Sequence, residues 1–437
     1  MLPQYNQPMT SPLLTESAYP IKFRKADATT LGKHLKLRHS VELVGIKRVG
    51  ISNFLRFFLY HNTIVPTYIS KDQDHIFVPI DLNDLVEREI QPFWILTIKR
   101  LADVAEESSI DQAIKQKISA LFLQSIQLQD NFLTIENIKK ALLLLIAQNL
   151  IPTLFLLRFD RMKDAATPEF FNNLQGLIEA THRQLAFVFT SDRPLDQIKP
   201  DIFSREELTT FSHVQYLTPS DITDSQIILK TIQKQYDTTY PKNIEQTILK
   251  LSGGHMQYLY LAHTIIFEKL DQAKRKLLSP DEITELILND ERTTLQSEEI
   301  FEGLSKSEQS TVKKLASGKS VTSGPDDKYL FDAGIIQKNE FFSPLFASFL
   351  QKKTKSSDSV EFSKKEHLLY SFLLKNKEEL CERDSIIHAV WPESEALGVS
   401  DWTIDRLVAR LRHKLKIQKS EHTIITIKTR GYKLVQS

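Results

Sequence analysis

The sequence predicts a multidomain chain of mixed α/β and α class: a parallel sheet layered between helices, an all-helical segment, then two small helix-and-hairpin units. Three observations predict it. From about residue 29 to 216, apolar strand-like runs alternate with helical stretches, the pattern of a parallel sheet. From 218 to 295 only helical periodicity remains, opened by the cap signal Pro219-Ser220-Asp221. The last 79 residues then combine three short helical patterns with a β-branched hairpin and concentrated positive charge.

A chain of 437 residues exceeds one ordinary domain, and its 41% hydrophobic and 25% charged residues describe a globular protein with real cores. The single cysteine, Cys381, excludes an internal disulfide framework and fits a reducing compartment, so a cytoplasmic location is expected. Residues 1–28 are rich in Pro, Gln, Ser and Thr and carry no apolar run; a flexible tail without a signal peptide is expected. Ala141–Phe159 comes nearest to a membrane span, but Gln148, Asn149 and Pro152 interrupt it. It reads as a helix end followed by a buried strand, and no membrane partner is expected.

The α/β part, 29–217, has five expected strands: Val41–Gly45, Ile76–Asp81, Thr153–Leu157, Leu185–Thr190 and Val214–Leu217. The first leads into Val41-Glu-Leu-Val-Gly45-Ile-Lys-Arg-Val-Gly50-Ile-Ser52, the outline of a P-loop opening an amphipathic helix. Glycines let backbone N–H groups wrap phosphates, a Lys holds the β/γ-phosphates, and Ser or Thr holds magnesium. Here Ile51 stands at the Lys position. Gly45, Lys47, Arg48, Gly50, Ser52 and Asn53 are the candidate nucleotide residues, with Lys47 and Arg48 as substitute cations; ATP or ADP is the cofactor such a loop takes. The strand Pro152–Leu157, continued by Arg158-Phe-Asp160-Arg161, resembles the Walker B strand of AAA+ and STAND signalling ATPases. That strand commonly ends in two acids before Phe-Asp; Leu157 and Arg158 occupy those places, leaving Asp160. Phe187-Val-Phe-Thr-Ser191-Asp-Arg193 resembles the sensor-1 strand of the same families, and Leu251-Ser-Gly-Gly-His-Met256 the glycine-rich turn of their helical lid, which usually has Pro at Met256. The resemblance covers residues 30–275 and implies a P-loop αβα sheet with a lid at 218–295. The missing cation and acids imply a scaffold or nucleotide-gated switch without turnover. The alternative is an active, origin-recognition-like NTPase that grips DNA.

Residues 296–352 hold a capping box, Ser305 with Glu308, then Leu330-Phe-Asp-Ala-Gly334 and Phe341-Phe-Ser-Pro-Leu345. This order resembles the small winged helix that follows the lid in STAND ATPases, with little basic charge on its second helix, and so implies a structural coupler. A polar linker is expected at 353–358.

From Arg406 onward there are nine Lys/Arg against one acid, Glu421, a local balance of +8; the remainder carries −7 although the whole chain is only +1. A basic patch on a compact unit is the footprint of a nucleic-acid binder. Phe362–Asn376 spaces apolar residues at 368, 369, 372 and 373 as one helix, and a second, about 383–391, stops at Trp391-Pro392. The third runs from Ser400 to about Lys416. It has Ile404, Val408, Leu411 and Leu415 on one face and Thr403, Arg406, Arg410 and His413 on another, expected to be free. Such a helix suits a major groove. Thr423–Ile427 and Tyr432–Val435 then flank a hairpin tip, Lys428-Thr429-Arg430-Gly431. Phe362-Ser-Lys-Lys-Glu366, Ala389-Val-Trp391, Val399-Ser-Asp-Trp-Thr-Ile-Asp405, Leu411-Arg412-His-Lys-Leu415 and Thr426–Tyr432 together resemble the winged-helix output domain of OmpR-family response regulators. The resemblance covers 359–437 and implies double-stranded DNA as partner, with Thr403, Arg406, Arg410, Arg412 and Lys428 as contacts and Arg430 nearby on the wing. Trp402 replaces the family's usual Arg, and the wing lacks one of its two usual glycines. A winged helix used only for protein contacts remains the other reading, and self-association or a protein or ligand signal are further expected partners. The twelve histidines are scattered, no His/Cys/Asp group has metal-ligand spacing, and no hydrolase motif occurs, so neither a metal site nor catalytic residues are expected.

Overall fold

The computed structural model describes residues 15–203, 211, 213–270, 278–355, 362–391, 401–427 and 430–436. The chain divides into two compact units, 1–218 and 219–437.

In the first unit β1 (Val41–Val44), β2 (Asp74–Asp81), β3 (Leu150–Leu157), β4 (Ala186–Ser191) and β5 (His213–Tyr216) form one sheet in the order β2-β3-β4-β1-β5. Every neighbouring pair is parallel, so this unit has the P-loop α/β fold. All five strands fall where the apolar runs predict them. β1 and β4 are buried at every position because helices cover both sheet faces, which is why they read as unbroken apolar runs. The helices are α1 (Lys25–Lys36), α2 (Ile51–Tyr60), α3 (Ile90–Glu107), α4 (Gln112–Leu128), α5 (Asn131–Ile146), α6 (Pro168–Ala180) and the one-turn α7 (Leu195–Ile198) and α8 (Pro200–Phe203). Phe93, Trp94 and Phe170 make the aromatic centre of one face, with Phe93 and Phe170 edge-to-face at 4.9 Å. Ala141–Phe159 is the end of α5 followed by β3, and among the described residues no helix is long and apolar enough to cross a membrane.

The flexible tail expected over 1–28 needs correction for its described part. Phe23 is fully buried, Tyr19 and Glu16 nearly so, and α1 begins at Lys25. Composition hid this because the anchoring is done by a few side chains: Tyr19 stacks edge-on to Phe23, and Phe23 in turn to Phe57 of α2.

The second unit begins with α9 (Ile222–Gln235), α10 (Lys242–Ser252), α11 (Met256–Lys269), α12 (Pro280–Leu288) and α13 (Glu291–Glu302). α13 runs straight across residues 295–296, where the sequence pattern changes. Gly253 and Gly254 end α10 with φ of 54° and 79°, and a Cβ on either would strike backbone, Phe342 O at 1.8 Å or Ser220 O at 2.0 Å. Then come α14 (Lys306–Ala316), which opens with the expected capping box of Ser305 and Glu308, α15 (Lys328–Asp332), the hairpin β6 (Ile336–Gln337) and β7 (Glu340–Phe341), and α16 (Pro344–Lys355). α16 continues through 353–355, part of the expected linker. The winged helix follows: α17 (Lys364–Lys375), β8 (Cys381–Glu382), α18 (Arg383–Val390), α19 (Asp401–Ile417), β9 (His422–Ile427) and β10 (Gly431–Gln436). Its sheet has the antiparallel order β8-β10-β9. Leu369, Leu373, Ile404, Val408, Leu411 and Leu415 form its core with Tyr432 and Leu434, the helix faces the spacing predicts.

Candidate nucleotide loop and nucleic-acid interface

The loop after β1 turns because its backbone adopts conformations that glycine favours. Gly50 has φ 121° and Arg48 is left-handed at φ 65°. Gly45 donates its N–H to Ser191 O at 3.3 Å, and a Cβ there would meet Leu217 O at 2.9 Å. α2 starts immediately after Gly50 with no side-chain cap, the kind of helix end that attracts an anion. The loop interior is apolar: Ile46 and Val49 are buried in it.

Lys47 Nζ lies 3.7 Å from Asp192 Oδ2. Asp160 sits in the turn Phe159–Met162 after β3. Its carboxyl is raised above the usual range, first by burial and then by Asp192, while Lys47 and Arg161 oppose the rise. The carboxyl ends of three adjacent strands thus gather one lysine and two acids beside the loop, the usual crevice of a parallel sheet. Asp192 was missed in sequence, although it directly follows the sensor-like strand. Arg158 is left-handed at φ 60° and pairs with Asp81, while its backbone N–H donates to Thr190 Oγ1 at 2.7 Å. Ile51 is the first residue of α2, where the sequence places the missing cation. Ser52 follows it on the helix. Asn53 departs from its expected role: it is buried, and its amide donates to Glu16 Oε1 and Tyr19 OH, both at 3.2 Å.

In the winged helix the first capping box does double duty. Ser363 caps α17 and Glu366 returns to the Ser363 N–H at 2.6 Å. Fully buried, Glu366 also accepts from Arg410 Nε and Lys414 Nζ, each at 2.7 Å. Burial alone would raise its pKa, but these cations and the Ser363 N–H outweigh it and hold the carboxyl below its usual range.

The face of α19 expected to be free is instead covered by α13. Arg410, 12% exposed, also faces Glu298 at 3.3 Å and Glu291 at 3.8 Å. Arg406 pairs with Glu302 at 3.1 Å, and Trp402 Nε1 donates to Glu299 Oε2 at 3.0 Å. Burial raises the Glu298 and Glu291 carboxyls against the attraction of Arg410. Thr403, expected to be free, is 2% exposed. Arg412 braces the wing, donating to Ile424 O and Thr426 Oγ1, both at 2.8 Å. Arg430 is exposed at the hairpin tip; Lys428 lies outside the described residues. Gly431 is needed where the wing crosses β8, since a Cβ would sit 2.1 Å from Cys381 O.

Residues 357–434 match the family model described as transcriptional regulatory protein, C terminal. The second unit therefore ends in a winged helix of the transcriptional-regulator C-terminal class. Among solved structures, the chain is similar to the ORC2 protein of Aeropyrum pernix in its ADPNP-ADP complexes, at 14% identity over 92% of this chain and 96% of that one, TM-score 0.47. It is also similar to the Walker-type ATPase of Pyrococcus abyssi, at 16% identity over 77% and 100%, TM-score 0.41. A third is the Aeropyrum pernix ORC1 protein in complex with DNA, at 10% identity over 97% and 91%, TM-score 0.39. No curated protein matches the chain.

Proposed function

We propose that this protein is a DNA-binding transcriptional regulator whose recognition helix, α19, is held occluded by the acidic helix α13, with the P-loop unit serving as a scaffold or nucleotide switch that does not hydrolyse ATP. The observation that carries the reading is the set of contacts from Arg410, Arg406 and Trp402 to Glu298, Glu291, Glu302 and Glu299. Cations that a carboxylate row neutralises on one helix are the cations a phosphate row would neutralise, so α13 and a duplex compete for one face. Arg430, on the wing, is left for the flanking backbone. The match of residues 357–434 to a transcriptional-regulator segment supports the same reading.

The test is selection of duplexes from a random pool by the full chain and by Glu298→Gln/Glu299→Gln/Glu302→Gln, each with and without ATP. Enrichment of one sequence by the variant, more weakly by the native chain, is expected; Arg406→Ala in the variant should lower that affinity and its salt dependence. Failure of both proteins to enrich any sequence would end the DNA-binding reading. A second reading, an active NTPase, is favoured by Asp160 and Asp192 standing together near the loop. It requires magnesium-dependent hydrolysis that Asp160→Ala abolishes.

A further inference from the structure

His34 and His39 meet His213, far away in sequence, at the end of the sheet opposite the loop. α1 closes with Arg38 left-handed at φ 61°, and the His39 N–H bonds back to His34 O at 3.0 Å. That turn lays His39 over His34, bringing their Nδ1 atoms to 3.4 Å. His213 opens β5, and its place opposite Val41 of β1 is set by the strand register. The imidazoles therefore converge through backbone hydrogen bonds that the fold already requires. One nitrogen from each of the three lies within 4.8 Å of the others, and all three residues are half-buried. His39 and His213 are stacked, ring centres 4.4 Å apart, and His213 and His34 lie 5.1 Å apart.

We propose that His34, His39 and His213 form a binding site for a first-row divalent transition-metal ion, of the zinc, cobalt or nickel class. Metal–imidazole bonds of about 2.0–2.1 Å in tetrahedral array place ligand nitrogens roughly 3.3 Å apart, close to the separation His34 and His39 already show. Three imidazole nitrogens with no carboxylate in the group select the borderline ions that prefer imidazole over calcium or magnesium. Burial, then the neighbouring imidazoles, hold His34 and His213 below the usual histidine range. Lys33, the cation that acts on His34, is exposed and can swing away. Unstacking His39 from His213 takes only side-chain torsions. Three protein ligands leave one position for water or a partner's side chain. The ion would tie the end of α1 and the lead into β1 to the edge strand β5.

The experiment uses the full chain, stripped with chelator and titrated with Co²⁺ alone and then Zn²⁺. One Co²⁺ per chain is expected, with visible ligand-field absorption, displacement by Zn²⁺, and a higher melting temperature in the loaded protein. His39→Gln and His213→Gln should each weaken uptake at least tenfold while melting, metal-free, as the native chain does. If either fails to fold, His34→Gln, on the helix surface, takes its place. No uptake at about 100 μM free ion, or uptake unchanged by the substitutions, would overturn the site and leave a stacked histidine cluster. Neither result bears on DNA binding.

Discussion

Replacing Glu298, Glu299 and Glu302 together by glutamine removes most of α13's charge opposite α19, leaving Glu291, while keeping its shape and helix propensity. Arg410 with Glu298 is the most buried of these contacts, an ion pair at 3.3 Å with side-chain exposures of 12% and 18%; the attraction at that distance is about 4–5 kcal/mol at an effective dielectric of roughly 20, before the cost of burial. Arg406 with Glu302 is open on the acid side, 58% exposed, and contributes under about 1 kcal/mol. The Trp402 bond to Glu299 adds about 1 kcal/mol, and burial of Glu298 takes part of the sum back. A net occlusion of about 3 kcal/mol corresponds to roughly 150 closed molecules for each open one. Apparent affinity falls by the open fraction, so release should tighten duplex binding roughly 100-fold. Arg410 keeps Glu366 and Glu291 as partners in the variant, so it is not left buried and unpaired. Fluorescence anisotropy with the selected duplex, at fixed salt, reads the change. Glu379→Gln, an exposed acid on the same domain, controls for the lost negative charge. A gain below about threefold, or one matched by Glu379→Gln, would refute occlusion, because a population shift of this size cannot come from screening alone.

Glu42 is buried in β1, accepts the Leu195 N–H at 2.7 Å, and has its pKa pushed up to about 7 by burial. The folded state therefore holds a proton that the unfolded chain releases near pH 4.5; its stability contribution is full below that pH and lost as pH rises through 7. Glu42→Gln should leave stability unchanged near pH 4 and raise it at pH 8 by up to about 3 kcal/mol, read by denaturant midpoints; equal gain at both pH values would contradict the assignment. Gly431→Ala should disrupt the wing's pairing with β8 and lower the melting temperature by several degrees, since the Cβ meets a backbone carbonyl; an unchanged melt would count against that close approach. Wild type should show no magnesium-dependent ATP turnover above background, and Asp160→Ala no change; measurable turnover lost in that variant would favour the active NTPase.

Much of this was legible in sequence. Buried parallel strands write themselves as apolar runs, and the α19 core stripe as 3.6-residue spacing. Both are local consequences of burial. The occluded face was not legible, because Arg406 and Arg410 have the same spacing whether water or α13 lies beyond them. The glutamates at 291, 298, 299 and 302 sit about 100 residues before α19 and read as an ordinary solvated helix face. Thr403, expected free on that face, is 2% exposed. Asn53 likewise belongs to Glu16 and Tyr19, which composition consigned to a tail. His213 shares no spacing with His34 and His39 because the strand register brings it to their turn.

The place of Glu366 decides what kind of switch the covered helix can be. It is fully buried, caps α17, and holds Arg410 and Lys414 from within the winged helix itself. The orientation of α19 is therefore also held from within the winged helix, and on the proposed reading removing α13 leaves its DNA-facing side already built. The barrier to binding is then one of access, not of folding, and the open form needs no reorganisation before it meets a duplex. Any ligand that separates α13 from α19 must raise DNA affinity by the factor it gains from preferring the open form. DNA must raise that ligand's affinity by the same factor. Measured both ways on the full chain, the two factors should agree; with the three glutamates replaced, both should fall toward one.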